Sequence, residues 1–173
     1  MKTETTKKLE EMLLSKFDRR SDFFVFECTI GWYGHEIVDC ISYNAQREIT
    51  CYEIKQSVSD FHSKNAVTFI GDKNYYVMPV EIYEKVKAEI PIEIGVLVAC
   101  KRIPYTEIDE RGRAWEGLRI VPGLDELYCI KRCKKRLLRA DKEIILSSML
   151  RCACRDRYRG NVFADERGTL NGE

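Results

Sequence analysis

Asp39, Glu53 and Lys55 are the residues of this chain whose types and spacing best suit catalysis. They lie in residues 36–55, which read as two short strands joined by a polar turn. The first strand carries Asp39 in a mostly apolar run, and the second ends in Glu53-Ile54-Lys55. A turn centred on Gln46 sets Asp39 directly opposite Glu53, and strand alternation puts Lys55 on the same face. Facing residues hold their Cβ atoms roughly 4.5–5.5 Å apart, so two carboxylates meet with an ammonium alongside. Two acids that close repel unless a cation lies between them. Hard oxygen donors favour Mg²⁺ or Mn²⁺. A divalent ion beside a lysine suits phosphodiester hydrolysis, because the ion acidifies water while the lysine orients the attack or offsets developing charge. By spacing alone the pattern is weak, since Asp and Glu-x-Lys at this separation recur by chance in charge-rich chains.

Other chemistries find less support. The two histidines, His35 and His62, stand alone, and no Ser or Cys sits in a nucleophile-elbow context. There is no H-E-x-x-H, phosphate loop or dinucleotide fingerprint, and no small-molecule cofactor is expected.

The elements that must position the trio can be read from periodicity. Residues 5–18 predict a helix, with Leu9, Met12, Leu13 and Phe17 on one stripe. Phe23 to Ile30 is a β-rich run, followed by the hairpin. Ser57-Val58-Ser59-Asp60 is a capping pattern for a short helix whose N–H groups would face the same cleft and could cradle a phosphate. Asn74 to Met78 reads as a buried strand, Glu81 to Glu89 as a helix, and Ile94 to Cys100 as a central strand. Leu118 to Val121 and Leu127 to Ile130 predict two further strands split by Pro122-Gly123. A last helix is expected over roughly Asp141 to Arg155. The result is an α/β arrangement around a mixed sheet, with one domain over 1–159 and a polar, flexible tail over 160–173.

Composition sets the limits. With 173 residues, 45% hydrophobic and 33% charged, the chain is long enough for one real core and has a globular profile. No apolar run approaches the ~20 residues needed to span a bilayer, and residues 1–8 lack the apolar core of a secretory signal. A cytoplasmic protein with no membrane partner is expected. The net charge of +1 hides a division, with eleven Lys or Arg against three acids between Lys131 and Arg159. Such a basic block suits either a polyanion or a solvated helix face. Of the 8 cysteines, Cys28, Cys40, Cys51 and Cys100 lie singly in apolar strands, as small hydrophobes do. Cys129, Cys133, Cys152 and Cys154 match no common zinc spacing.

Taken as ordered blocks, residues 36–79 resemble the PD-(D/E)XK nuclease superfamily. More narrowly they are similar to the MmcB-like DNA repair proteins and their phage-encoded relatives. The resemblance is carried by Val38-Asp39, Cys51-Tyr52-Glu53-Ile54-Lys55, Ser59-Asp60-Phe61 and Asn74-Tyr75-Tyr76-Val77-Met78-Pro79, and continues through Ile90-Pro91 to Val96. It implies a restriction-endonuclease-like core, a mixed β-sheet flanked by helices in the order α-β-β-β-α-β with C-terminal additions. It also implies Asp39, Glu53 and the Ile54 carbonyl as ligands of Mg²⁺ or Mn²⁺, with Lys55 as the catalytic lysine. The family's leading proline is Val38 here. Some members add a first-helix glutamate, for which Glu10 and Glu11 both qualify. Asp60 matches a family position that a capping role explains equally well.

The expectation is therefore a Mg²⁺-dependent DNA nuclease acting in repair, recombination or phage replication. The alternative is a catalytically inactive DNA-binding accessory module with the same fold. A zinc-stabilised partner-binding domain built on the late cysteines is a third reading. On the DNA reading, Arg and Lys around 131–139 and 151–159 would contact phosphates without reading sequence. Tyr75 and Tyr76 are expected in the core rather than stacked on bases.

Overall fold

Among the described residues, runs of Val, Ile, Phe, Tyr and Cys at strand spacing build six strands, and helices cover both faces of them. The structure, a computed structural model, describes residues 2–17, 21–31, 36–63 and 68–168. The elements in order are α1 (Glu4–Leu14), β1 (Phe23–Thr29), β2 (Ile37–Tyr43), β3 (Ile49–Ile54), α2 (Val58–Phe61), β4 (Lys73–Pro79), α3 (Val80–Val86), β5 (Gly95–Ile108), β6 (Ala114–Lys131) and α4 (Lys142–Gly168). They form an α/β fold around one mixed sheet of order β1-β2-β3-β4-β5-β6.

β1, β2 and β3 pair antiparallel, β3, β4 and β5 run parallel, and β6 returns antiparallel to β5. Parallel neighbours need crossover connections, and α2 and α3 lie in the two that link β3 to β4 and β4 to β5. The sheet separates the core into layers. Leu9, Met12 and Leu13 of α1 pack on Cys40, Ile54, Val77 and Leu97. On the other face Ile145, Met149 and Cys152 of α4 cover Val25, Ile41 and Cys51, while α3 covers Met78, Val96 and Val98.

The hairpin takes the expected register, with Cys40 facing Tyr52, Ile41 facing Cys51 and Ser42 facing Thr50. Its turn is fixed by Asn44, whose Oδ1 accepts from Glu48 N at 2.9 Å and whose carbonyl accepts from Arg47 N at 2.9 Å. Arg47 takes the left-handed conformation that closes the turn, with φ 62°.

Two expectations change. The late strands around Pro122-Gly123 are one strand, β6, which pairs with β5 over nearly its whole length. Cys100 faces Glu126 but Lys101 faces Val121, so residues 122–125 are extra on β6. Pro122 and Gly123 therefore mark a bulge, a place where a sheet accommodates such residues, and not a break. The last helix also runs past Arg155 to Gly168, through part of the stretch expected as a tail. A single glycine inside a helix costs only about 1 kcal/mol, so Gly160 does not stop it. Residues 169–173 lie outside the described residues.

Candidate functional site

The β2–β3 ladder pairs as far as Cys40 and Tyr52, and one more step along it would set Asp39 against Glu53. Here the pairing changes character. The Ile54 N–H, which in a continuing ladder would donate to a main-chain carbonyl, donates to Asp39 Oδ2 at 2.8 Å. A carboxylate has taken a strand acceptor's place at the point where the two strands part. The cleft of ≈ 520 Å³ opened there is lined by Asp39, Glu53, Ile54 and Lys55, with Glu10, Glu27 and Asp60 around them.

Burial makes these charges costly. Glu53 is 3% exposed and Lys55 5%. Burial first, and then the charge of Asp39, push the Glu53 carboxyl up to about 8, although Lys55 and the Thr68 N–H oppose the shift. Thr68 N donates to Glu53 Oε1 at 3.3 Å. The Asp39 carboxyl is also raised, chiefly by burial, with Asp60 and Glu10 adding to the shift and the Ile54 N–H and Lys55 working against it. Two neighbouring carboxyls that both resist ionisation are deficient in positive charge. Among the described residues Lys55 has no carboxylate within ion-pair distance. The donor set therefore fits a hard divalent cation, with Asp39, Glu53 and the Ile54 carbonyl available to hold it. Among the described residues, no three His, Cys, Asp or Glu side chains already converge as a closed metal cage.

Of the two first-helix glutamates, Glu10 lines the cleft and Glu11 lies on the exposed side beside Lys8. Ser57 caps α2, its Oγ accepting from the Asp60 N–H at 3.0 Å, and Asp60 Oδ2 in turn accepts from Gln56 N at 3.0 Å. α2 is one turn long, and the cap already occupies its Asp60 N–H, which leaves little of the phosphate cradle expected there. Tyr76 is buried between Phe61 and Phe69, and Tyr75 stacks on Tyr52 with ring centroids 5.9 Å apart. His62 pairs with Glu89 at 2.8 Å on the surface, and His35 lies outside the described residues.

The late cysteines fall in separate places: Cys152 packs in the α4 layer beside Cys28, whereas Cys129 and Cys133 lie near one another beside Tyr75. All eight are free thiols. Much of the basic C-terminal block is tied to the protein itself. Lys135 pairs with Glu48 at 2.8 Å, Lys131 Nζ donates to Pro91 O at 2.7 Å, and Arg151 donates to Thr29 O and Gly31 O at 2.8 and 2.7 Å. Arg136 donates to the Phe69 carbonyl. Arg132, Lys134 and Arg139 remain exposed.

Sequence reasoning missed two residues, Glu27 and Lys2. Glu27 holds a left-handed conformation, φ 49°, between Phe26, which faces Cys40, and Cys28, which faces Val38. That bulge-like kink lets Val25 and Cys28 enter the same core layer although they are three apart, and it turns Glu27 toward Lys2. The Lys2 ammonium lies 2.6 Å from Glu10 Oε1 and 2.9 Å from Glu27 Oε1. A lone acid inside the apolar run Phe23–Thr29 was the available signal, the same kind that marked Asp39.

The chain matches no family model and no curated protein. Among solved structures it is similar to a protein of unknown function from Silicibacter pomeroyi, with a TM-score of 0.64, 14% identity and 100% of each chain covered. At that identity the likeness shows the fold alone. Among the described residues no helix is long and apolar enough to cross a membrane.

Proposed function

We propose that this protein is a metal-dependent DNA nuclease of the PD-(D/E)XK type, using Mg²⁺ or Mn²⁺. The observation that carries the reading is the Asp39–Glu53 pair: two converging carboxyls, one pushed up to about 8, beside a buried lysine in an open cleft. The chain order of α1, β1–β3, α2 and β4 supports a restriction-endonuclease-like core at the heart of the sheet. The residues quoted for the family resemblance fall on β2, β3, α2, β4 and the start of β5, and those on β2, β3 and α2 include the cleft residues Asp39, Glu53, Ile54 and Asp60.

Asp39, Glu53 and the Ile54 carbonyl would hold the ion, with Glu10 behind them. When bound, the ion would acidify water and offset negative charge developing on the phosphodiester. Lys55 then supplies a fixed positive charge for the phosphate and helps orient the attack, an arrangement that needs no reorganisation during reaction. Asp39 Oδ2, accepting from the Ile54 N–H at 2.8 Å, ties the two strand ends at the cleft and fixes its own carboxylate there. Arg132, Lys134 and Arg139 offer sequence-independent phosphate contacts.

The test is incubation with linear, nicked, branched and single-stranded DNA, with and without Mg²⁺ or Mn²⁺. Cleavage by the wild type that disappears in Asp39→Asn, Glu53→Gln and Lys55→Ala supports the reading. A wild type that cuts none of these forms in either metal removes it. Salt-sensitive DNA binding retained without any cleavage would favour an accessory module instead.

A further inference from the structure

The proposed cleft already holds a cation, and the chain supplies it. Lys2 reaches over α1 from the preceding segment and places its ammonium between Glu10 and Glu27, at 2.6 and 2.9 Å. The reach is braced on both sides. Thr3 caps α1 by accepting from Thr6 N at 3.2 Å, and its hydroxyl also donates to Gln56, the residue that follows Lys55. Lys2, Glu10, Glu27 and Gln56 all line the cleft that contains Asp39, Glu53 and Lys55.

The two carboxylates that hold Lys2 come from different elements, Glu10 from α1 and Glu27 from β1, and Asp39 lies on β2, the strand beside β1. The pairs flanking Glu27 in the β1–β2 ladder, Phe26 with Cys40 and Cys28 with Val38, place it level with Asp39. A cation bridging Glu10 and Glu27 thus shares the cleft with the acid that would bind metal, and Glu10 already raises the Asp39 carboxyl. Like charges so close compete for the same carboxylates.

Resting on the nuclease reading above, we infer that Lys2 is an internal latch: an ammonium that occupies the acid cleft without metal and is displaced when a divalent ion enters. Removing the latch charge frees Glu10 and Glu27 and relieves repulsion toward the ion. Keeping the charge on a different head group preserves the competition.

The experiment is Mn²⁺ titration calorimetry on the full chain, its Lys2→Met and Lys2→Arg variants, and Asp39→Asn as a control. Lys2→Met is expected to bind Mn²⁺ about ten-fold more tightly than wild type, a modest factor because the pairs are part exposed. Lys2→Arg is expected to stay near the wild-type affinity. Mn²⁺ should also accelerate amide exchange at Thr6 and Lys7 of the wild type, as the Thr3–Gln56 brace loosens. Equal Mn²⁺ affinity in wild type and Lys2→Met overturns the latch while leaving the metal site intact. A wild type that binds no Mn²⁺, or binds it as well with Asn at position 39, overturns the metal site itself and the latch with it.

Discussion

Replacing Glu53 with Gln tests whether a protonated, buried carboxyl lies at the centre of the cleft. The folded-state carboxyl titrates at about 8 against an ordinary value of 4.5, raised by burial and by Asp39. Between those two values the folded chain keeps a proton that the unfolded chain has released. Stability from this group is therefore full below about pH 4.5 and falls as pH rises toward about pH 8. Each unit of that interval is worth about 1.4 kcal/mol, so by pH 7 the loss is on the order of 3 kcal/mol. With Glu53 only 3% exposed, solvent screening leaves that order of magnitude standing. Gln keeps the acceptor for the Thr68 N–H and the side-chain volume, but has no proton to lose. Urea unfolding of both proteins in chelator, from about pH 5 to about pH 8, isolates the group as a difference profile. The wild type should lose ground to the variant by roughly 1 kcal/mol per pH unit. Millimolar Mg²⁺ should flatten the wild-type profile and leave the variant unchanged. Parallel profiles for the two proteins would refute the argument, because Glu53 would then ionise as freely folded as unfolded.

Four further outcomes follow from the same contacts. Lys55→Ala should lower the cleavage rate by roughly 10²–10³, the usual cost of removing a fixed charge from a developing anion; circular dichroism should show the fold intact. Ile145→Ala removes a fully buried side chain that joins α4 to the sheet, and chemical denaturation should show a loss of roughly 2–5 kcal/mol. Ser57→Ala deletes the α2 cap and should cost about 1 kcal/mol, with faster amide exchange at Asp60 as the local readout. Amides of the β5–β6 ribbon between residues 103 and 119 should exchange faster than those of β4, since the ribbon contributes little to the buried core.

The hairpin that carries Asp39 and Glu53 was legible because two constraints agree on it. Apolar alternation selects which residues face inward, and a short polar turn leaves one register that satisfies both strands. The stripe of Leu9, Met12 and Leu13 was equally plain, since a helix one face of which is buried must repeat at helical spacing. Glu27 was hidden for the opposite reason. Its place in the cleft depends on one left-handed residue in a strand, and no periodicity announces that. Lys2 was hidden because a lysine near an end carries no pattern; only the folded chain brings it to Glu10. Residues 101–117 carried no readable element because a ribbon exposed on both faces has no inside–outside alternation, and Pro122-Gly123 looked like a boundary where β6 in fact carries a bulge. On charge alone the basic block suited a polyanion or a solvated helix face equally, yet Lys131, Lys135, Arg136 and Arg151 spend their donors within the protein. Charge count reveals where cations lie along the chain, while pairing is decided in three dimensions.

β5 leaves its parallel neighbour at Ala99, opposite Pro79, and from Lys101 onward, among the described residues, each strand of the ribbon pairs with the other alone. Both outer rims of this tongue consequently show bare main-chain donors and acceptors to solvent, next to Trp115 at 50% and Leu118 at 59% exposure. Such a surface invites other chains to add themselves on. Pro104 removes a donor from one rim, and Arg102, Glu107, Glu116 and Arg119 stud the rest with charge of both signs. These residues act as gatekeepers against stacking into larger sheets. Trading them for β-branched apolar residues would turn the tongue into a seed for aggregation.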